Sequence, residues 1–198
     1  MSPRTSEQLA EIKDQRREQI LDVALVVFAR QGFEATKVSD LATAASMSQG
    51  LLYRYFPSKE AVYCALLERA MVGARNLVEQ ALARPDSAWD RLHWLCEAML
   101  EGVRERPEYV ALLSRASSTS APEQAQETLA RNGSATFKSL VRLLAEGQAV
   151  GQIAPDDPAE LVRAFTALIQ GLALGQTQSQ RNIQHIPRTE VVMRLFRA

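Results

Sequence analysis

Apolar positions recur along nearly the whole chain at helical spacing. Ile20, Ala24, Val27 and Phe28 fall at i, i+4, i+7 and i+8, one face of a first helix. Gly32 follows as a C-terminal stop. Thr36 predicts a cap for a second helix over Lys37 to Ala44, with Asp40 in its early turns. Ser48 predicts the cap of a third, Gln49 to Phe56, which Pro57 ends. Ser58 then opens a long fourth helix to about Ala83. Arg84-Pro85-Asp86-Ser87 is a breaker. A fifth helix carries Trp89, Leu92, His93, Cys96, Leu100 and Val103 on one stripe. Pro107 opens a sixth that buries Tyr109, Leu112 and Leu113, and Ser117 to Pro122 is a loop. A seventh helix runs over Glu123 to Ala149 with Phe137, Leu140, Val141 and Leu144 inward. An eighth spans Ala159 to Thr177, the polar run Gln176 to Gln184 is a loop or frayed end, and a last short helix holds Val191, Val192, Leu195 and Phe196. No run alternates as a strand and no segment repeats. The expected class is all-α, with three short helices first and a larger bundle behind.

Composition narrows the function. Of 198 residues, 46% are apolar, enough for a real core, and 23 Lys and Arg balance 23 Asp and Glu. The net charge of zero gives no support to nucleic-acid binding, so the placement of charge must decide. Cys64 and Cys96 form no CxxC or metal-spaced set, and a disulfide framework is not expected. Met1 to Lys13 lacks an apolar signal region. Leu161 to Leu174 is broken by Arg163, Thr166 and Gln170, too short and polar for a membrane span. A soluble, cytoplasmic protein is expected. The chain shows no GxSxG, HExxH, P-loop or dinucleotide fingerprint, and two histidines are few for acid–base chemistry. No catalytic residue, cofactor or metal site is expected.

The informative segment is TKVSDLATAASMSQGLLYRYFPSK, Thr36 to Lys59. Two short helices joined by a tight turn let the second project into a major groove. Small Ala42 and Ala45 let them pack closely, and Leu41, Leu52 and Phe56 face a core. Gln49, Gly50, Leu51, Tyr53 and Arg54 are left on the outer face. The helix N-terminus after Ser48 favours phosphate. Gln49 can pair with adenine, and Gly50 permits close approach. Thr36, Tyr53 and Tyr55 carry hydroxyls that can donate to phosphate oxygens. Lys37, Arg54 and Lys59 outnumber Asp40, so this stretch is basic in a neutral chain. The competing reading is an ordinary bundle or a protein-interaction module in which the tyrosines simply pack. Retention of Tyr53, Lys59 and a basic third helix disfavours it.

SMSQGLLYRYFPSKEAVY resembles the third helix and the start of the fourth in the tetracycline-repressor (TetR) family, and ILDVALVVFARQGFEATKVSDLA resembles its first two helices. Order and spacing agree over about residues 15 to 70. The resemblance implies a DNA-binding domain over residues 1–60 and an effector-binding and dimerisation bundle over 61–198. It implies that Thr36, Tyr53, Tyr55 and Lys59 grip phosphates, with Gln49, Gly50 and Leu51 at base edges. It further implies a homodimer on a palindromic double-stranded operator, repressing by default or activating, and released by a small apolar effector. Two departures stand out: Ser46 where the family often has Gly, and Leu51 where it often has Thr. Both bear on operator sequence rather than on fold.

Two further groups are candidates. His93, Trp94, Cys96, Met99, Tyr109, Leu112, Phe137 and Phe165 are expected to line an effector pocket, each also fitting ordinary core. His93 and Cys96 lack a third ligand, so a metal is not expected. Glu97, Glu101 and Arg104 form a solvated face. In the eighth helix Ala164, Ala167, Gly171 and Gly175 make a small-residue stripe beside Leu161, Phe165, Leu168 and Leu172. A helix-interior Gly costs about 1 kcal/mol relative to Ala, so close helix approach must compensate. This predicts a two-fold interface from Leu161, Ala164, Leu168, Gly171, Leu172 and Gly175, joined by Val192, Leu195 and Phe196. The alternative is packing of the stripe on a helix of the same chain.

Overall fold

The computed structural model describes residues 6–117, 121–178 and 186–198. They form α1 (Ser6–Ala35), α2 (Val38–Ala44), α3 (Gln49–Tyr53), α4 (Lys59–Ala83), α5 (Ala88–Glu105), α6 (Pro107–Ala116), α7 (Glu123–Ala149), α8 (Pro158–Gln178) and α9 (Thr189–Met193). A 3₁₀ turn, Arg194–Phe196, follows. The chain is all-α as expected. The one pairing outside helices among the described residues is an isolated bridge between Ile153 and Arg197. Residues 118–120 of the predicted loop at 117–122 and most of the polar run to Gln184 lie outside the described residues.

Local chemistry sets the boundaries. Gly32 takes φ 79° and breaks the α1 helix, a conformation that costs a glycine little. The Ser58 hydroxyl accepts from Ala61 N–H at 3.2 Å and the Ser87 hydroxyl from Asp90 N–H at 3.2 Å, each satisfying an orphan donor of a helix first turn. Pro107 opens α6, where its missing N–H costs nothing.

Two cores hold the molecule together. The head core joins Ile20, Leu25 and Phe28 of α1 to Leu41 of α2, Leu52 of α3, Phe56, and Val62, Tyr63, Leu66 and Leu67 of α4. Leu112 and Ala116 of α6 and Ala125 of α7 complete it. Phe28 meets Tyr63 edge-on at 5.0 Å, and burial pushes the Tyr63 hydroxyl up to about 12 against the pull of Arg115. The body core joins Val78 and Ala81 of α4 to Leu92, Leu95, Cys96, Leu100 and Val103 of α5. It also takes in Leu143 and Leu144 of α7 and Val162, Phe165 and Ile169 of α8. Helix α4 therefore enters both cores, one with each half, and α6 leans on the head from the body side.

The C-terminus corrects one expectation. Val192 and Phe196, assigned to a dimer face, are 3% and 1% exposed within their own chain. Phe196 packs edge-on against Phe165 at 5.5 Å, and its carbonyl accepts from Ala154 N–H at 2.9 Å. The short helix turns its other side outward, leaving Leu195 50% exposed with Val191 beside it.

Candidate nucleic-acid interface

The α2–turn–α3 unit is built from side chains that cap and side chains that pack. Leu41 and Ala42 of α2 and Leu52 and Phe56 around α3 are buried. The turn passes through Ser46 at φ 53°, the sole non-glycine positive φ among the described residues. A left-handed L-residue costs roughly 1–2 kcal/mol, which explains why glycine suits this position. The Ser48 hydroxyl accepts from Leu51 N–H at 3.2 Å and fixes the start of α3. With Leu52 and Phe56 held inward, Gln49, Gly50, Leu51, Tyr53 and Arg54 are exposed together on the outer side. A Cβ at Gly50 would meet nothing within 4 Å, so the surface there is open. Helix α3 is shorter than expected: it ends at Tyr53 and the chain continues through a turn to Phe56.

An open recess of about 460 Å³ flanks α3, lined among others by Thr36, Lys37, Tyr53, Ser58 and Lys59, with Glu34 and Glu60 also present. Tyr53 is 50% exposed beside it. A backbone hydrogen bond and then the Ser58 hydroxyl hold the Glu60 carboxyl below its ordinary range.

Three of the expected phosphate ligands have other work. Thr36 is 1% exposed, and its hydroxyl donates to the Gly32 carbonyl at 2.6 Å. It does not cap α2. Lys37 is the cap residue, and its N–H donates to the Asp40 carboxylate at 2.9 Å. The Lys59 ammonium donates to the carbonyls of Phe33 and Thr36, each at 2.9 Å, and lies 4.1 Å over the Phe33 ring. The physical reason is the break at Gly32, which leaves carbonyls at the end of α1 without helical partners. Tyr55 is half-buried and packs on the head core. Lys37, Tyr53 and Arg54 remain as exposed donors.

The eight proposed effector residues do not line one cavity. Cys96, Leu112 and Phe165 are buried, and Trp94, Met99 and Phe137 pack against the body core. Tyr109 and Leu112 belong with the head core instead. His93 lines a separate open groove of about 560 Å³ with Trp89, Gln152, Glu190, Arg194 and Arg197. Burial pushes the Cys96 thiol up to about 12, so it is protonated at neutral pH and a poor metal ligand. A stripe of apolar residues packs as readily as it encloses space, and here it packs.

On α8, Ala164, Ala167 and Gly171 are exposed, and a Cβ at Gly171 would meet nothing within 4 Å. These three small residues therefore do not seat a helix of the same chain, contrary to that alternative, while Gly175 further along is half-buried. Leu161, Leu168 and Leu172 beside them are half-buried against the body core.

The chain matches the family model described as bacterial regulatory proteins, tetR family, over residues 20–66, and the tetracyclin repressor-like C-terminal domain over residues 85–174. The chain belongs to the TetR family. It is 28% identical over 168 residues to the Bacillus subtilis HTH-type transcriptional regulator YfiR, covering 83% of this chain and 80% of that one. It is 28% identical over 165 residues to the Mycolicibacterium smegmatis repressor KstR2, covering 83% and 78%. Among solved structures it resembles PfmR, a TetR-family regulator of Thermus thermophilus, at 26% identity and a TM-score of 0.71 over 88% of this chain and 92% of that one. It shares the fold of AibR, solved with isovaleryl coenzyme A and operator DNA, at 20% identity and a TM-score of 0.73, covering 89% and 93%. As a TetR-family chain it is a transcription regulator rather than an enzyme. No helix among the described residues is long and apolar enough to cross a membrane.

Residue-type reasoning missed two members of this TetR-family head. Arg16 donates to the Ala45 carbonyl at 3.4 Å. Arg17 donates to the Tyr55 carbonyl at 3.3 Å and stacks 4.2 Å over Phe56. Both sit in α1, outside the helix-turn-helix segment. Their charge segregation along α1 is the signal that was available.

Proposed function

We propose that this chain is a homodimeric repressor whose two α3 helices enter successive major grooves of a palindromic operator, and that a small-molecule effector releases it. The observation that carries the reading is the outward face of α3. Gln49, Gly50, Leu51, Tyr53 and Arg54 are exposed together because Ser48 caps the helix and Leu52 and Phe56 hold its back to the core. Gln49 is the base-reading residue, and Lys37, Tyr53 and Arg54 contact phosphates. Repression is favoured over activation because KstR2, a relative that spans 83% of the chain, is a repressor. The activator FasR matches over 46% of the chain. An effector would act by parting the packed layer of α5, α7 and α8 and displacing α4, which enters both cores. Moving the equilibrium from nearly all bound to nearly all free takes roughly 5.5 kcal/mol of differential affinity.

The dimer proposed here forms through the open α8 face of Ala164, Ala167 and Gly171, with Leu161, Leu168, Leu172 and Gly175 along it and Leu195 at its margin. Two such faces would make a four-helix contact with the neighbouring helix of each protomer.

Gln49→Ala tests the reading. In a mobility-shift assay on the parent operator it should lose about 1–3 kcal/mol of discrimination at one base pair per half-site. Binding to unrelated duplex should stay unchanged. A variant with the parent's base preference would remove Gln49 from the groove.

A further inference from the structure

Helix α1 starts well before the head core it serves. Its first fully buried residue among those described is Ile20, and residues 10 to 15 are exposed. This extension is segregated by charge. At about 100° per residue, Lys13, Arg16 and Arg17 fall within an arc of roughly 100°, and Glu11, Asp14 and Glu18 fall within a separate arc of roughly 60°.

The contacts show where each arc points. Arg16 donates to the Ala45 carbonyl beside the α2–α3 turn, and Arg17 donates to the Tyr55 carbonyl just past α3. The basic stripe therefore lies along the edge of the helix-turn-helix. The acidic stripe turns the other way. Glu18 meets Arg69 of α4 at 2.8 Å, and Asp22, one turn on, meets it at 2.9 Å. Arg106 also reaches Asp22 at 3.7 Å. Among the described residues, no carboxylate pairs with Lys13, Arg16 or Arg17. Each guanidinium has five N–H donors, and the bonds just described leave several unused.

We infer that the basic stripe Lys13–Arg16–Arg17 of α1 is a second DNA contact, seated on the phosphate backbone that flanks the groove entered by α3. The inference rests on the DNA-binding reading above and adds a surface outside the helix-turn-helix. A duplex backbone is the partner that fits. It offers a row of anions on each side of the groove, with a phosphate about every 3.4 Å of axis per strand. The stripe rises about 6 Å along α1, close to two such steps. The ion pairs on the opposite face hold Glu18 and Asp22 away from that row, and Glu11 and Asp14 share the Glu18 side of the helix. Arg16 and Arg17 are fixed against the head by their carbonyl contacts, and Lys13 extends the stripe one turn outward into solvent.

The test is the salt dependence of DNA binding by the full chain and two single variants, Lys13→Gln and Glu11→Gln. Both residues are exposed, so both variants should keep the parent's melting temperature. Lys13→Gln should reduce the slope of log K against log salt by about 0.9 and weaken operator and random duplex alike. Glu11→Gln, on the other face, should leave the slope unchanged. An unchanged slope for Lys13→Gln, with the parent still binding DNA, overturns the α1 contact and leaves the α3 reading standing. Equal and opposite changes from the two variants overturn it as well, because they would mean a bulk field rather than a contact. A parent that binds no duplex at all overturns the DNA-binding reading itself.

Discussion

Gly171→Arg should separate the dimer and lower operator affinity by a factor of about 10²–10⁴, the advantage that joining two half-site contacts supplies. The expectation follows from what surrounds Gly171 within one chain. A Cβ there would meet nothing within 4 Å, and Ala164 and Ala167 on the same face are exposed. The substitution therefore strains no contact inside the protomer. It also removes a helix-interior glycine, which by itself gains about 1 kcal/mol in helix propensity. A folded chain that sediments as a monomer and binds operator weakly is the expected result. The charged side chain would stand where two α8 faces approach, and an unpaired buried charge is strongly disfavoured. A variant that stays dimeric with the parent's affinity would move the interface off this stripe.

Lys59→Met should lower the melting temperature by about 5–10 °C, which corresponds to roughly 2–3 kcal/mol for a chain of this size. Two hydrogen bonds from a charged donor are lost, each worth about 1.5–3 kcal/mol when shielded and less at a half-exposed site. They join the end of α1, at the Phe33 carbonyl, and the segment before α2, at the Thr36 carbonyl, to the first residue of α4. The contact with the Phe33 ring goes too. The head should loosen and DNA affinity should fall on every sequence. The slope against salt should nonetheless match the parent's, because two of the three ammonium N–H donors are spent on carbonyls, whereas the α1 guanidiniums keep several of five free. A phosphate ligand would give the reverse pattern: an unchanged melting temperature and a slope reduced by about 0.9.

The helix order and most boundaries were legible because their chemistry is local. Ser48 and Ser58 cap, Pro107 opens a helix and Gly32 ends one, each acting on residues a few positions away. The outer face of α3 was legible for a related reason: fixing Leu52 and Phe56 inward fixes what points out. The carbonyl contacts of Thr36 and Lys59 were not, because they depend on groups around the end of α1 that tertiary contact brings near. The eight effector residues do not gather round one cavity, because helical spacing reports which side faces inward and not whether space is left there. Cys96 and Phe165 sit in a filled core. The last helix is too short for periodicity to fix its phase. Val192 and Phe196 went in where Val191 and Leu195 stayed out.

The most direct measurement is selection of bound sites from random duplex DNA by the purified full chain, followed by sizing of the complex on the enriched site. The account predicts enrichment of a palindrome whose half-sites are centred about 10–10.5 base pairs or a multiple apart, bound by two chains. No enrichment, or a single unrepeated site bound by one chain, would contradict it.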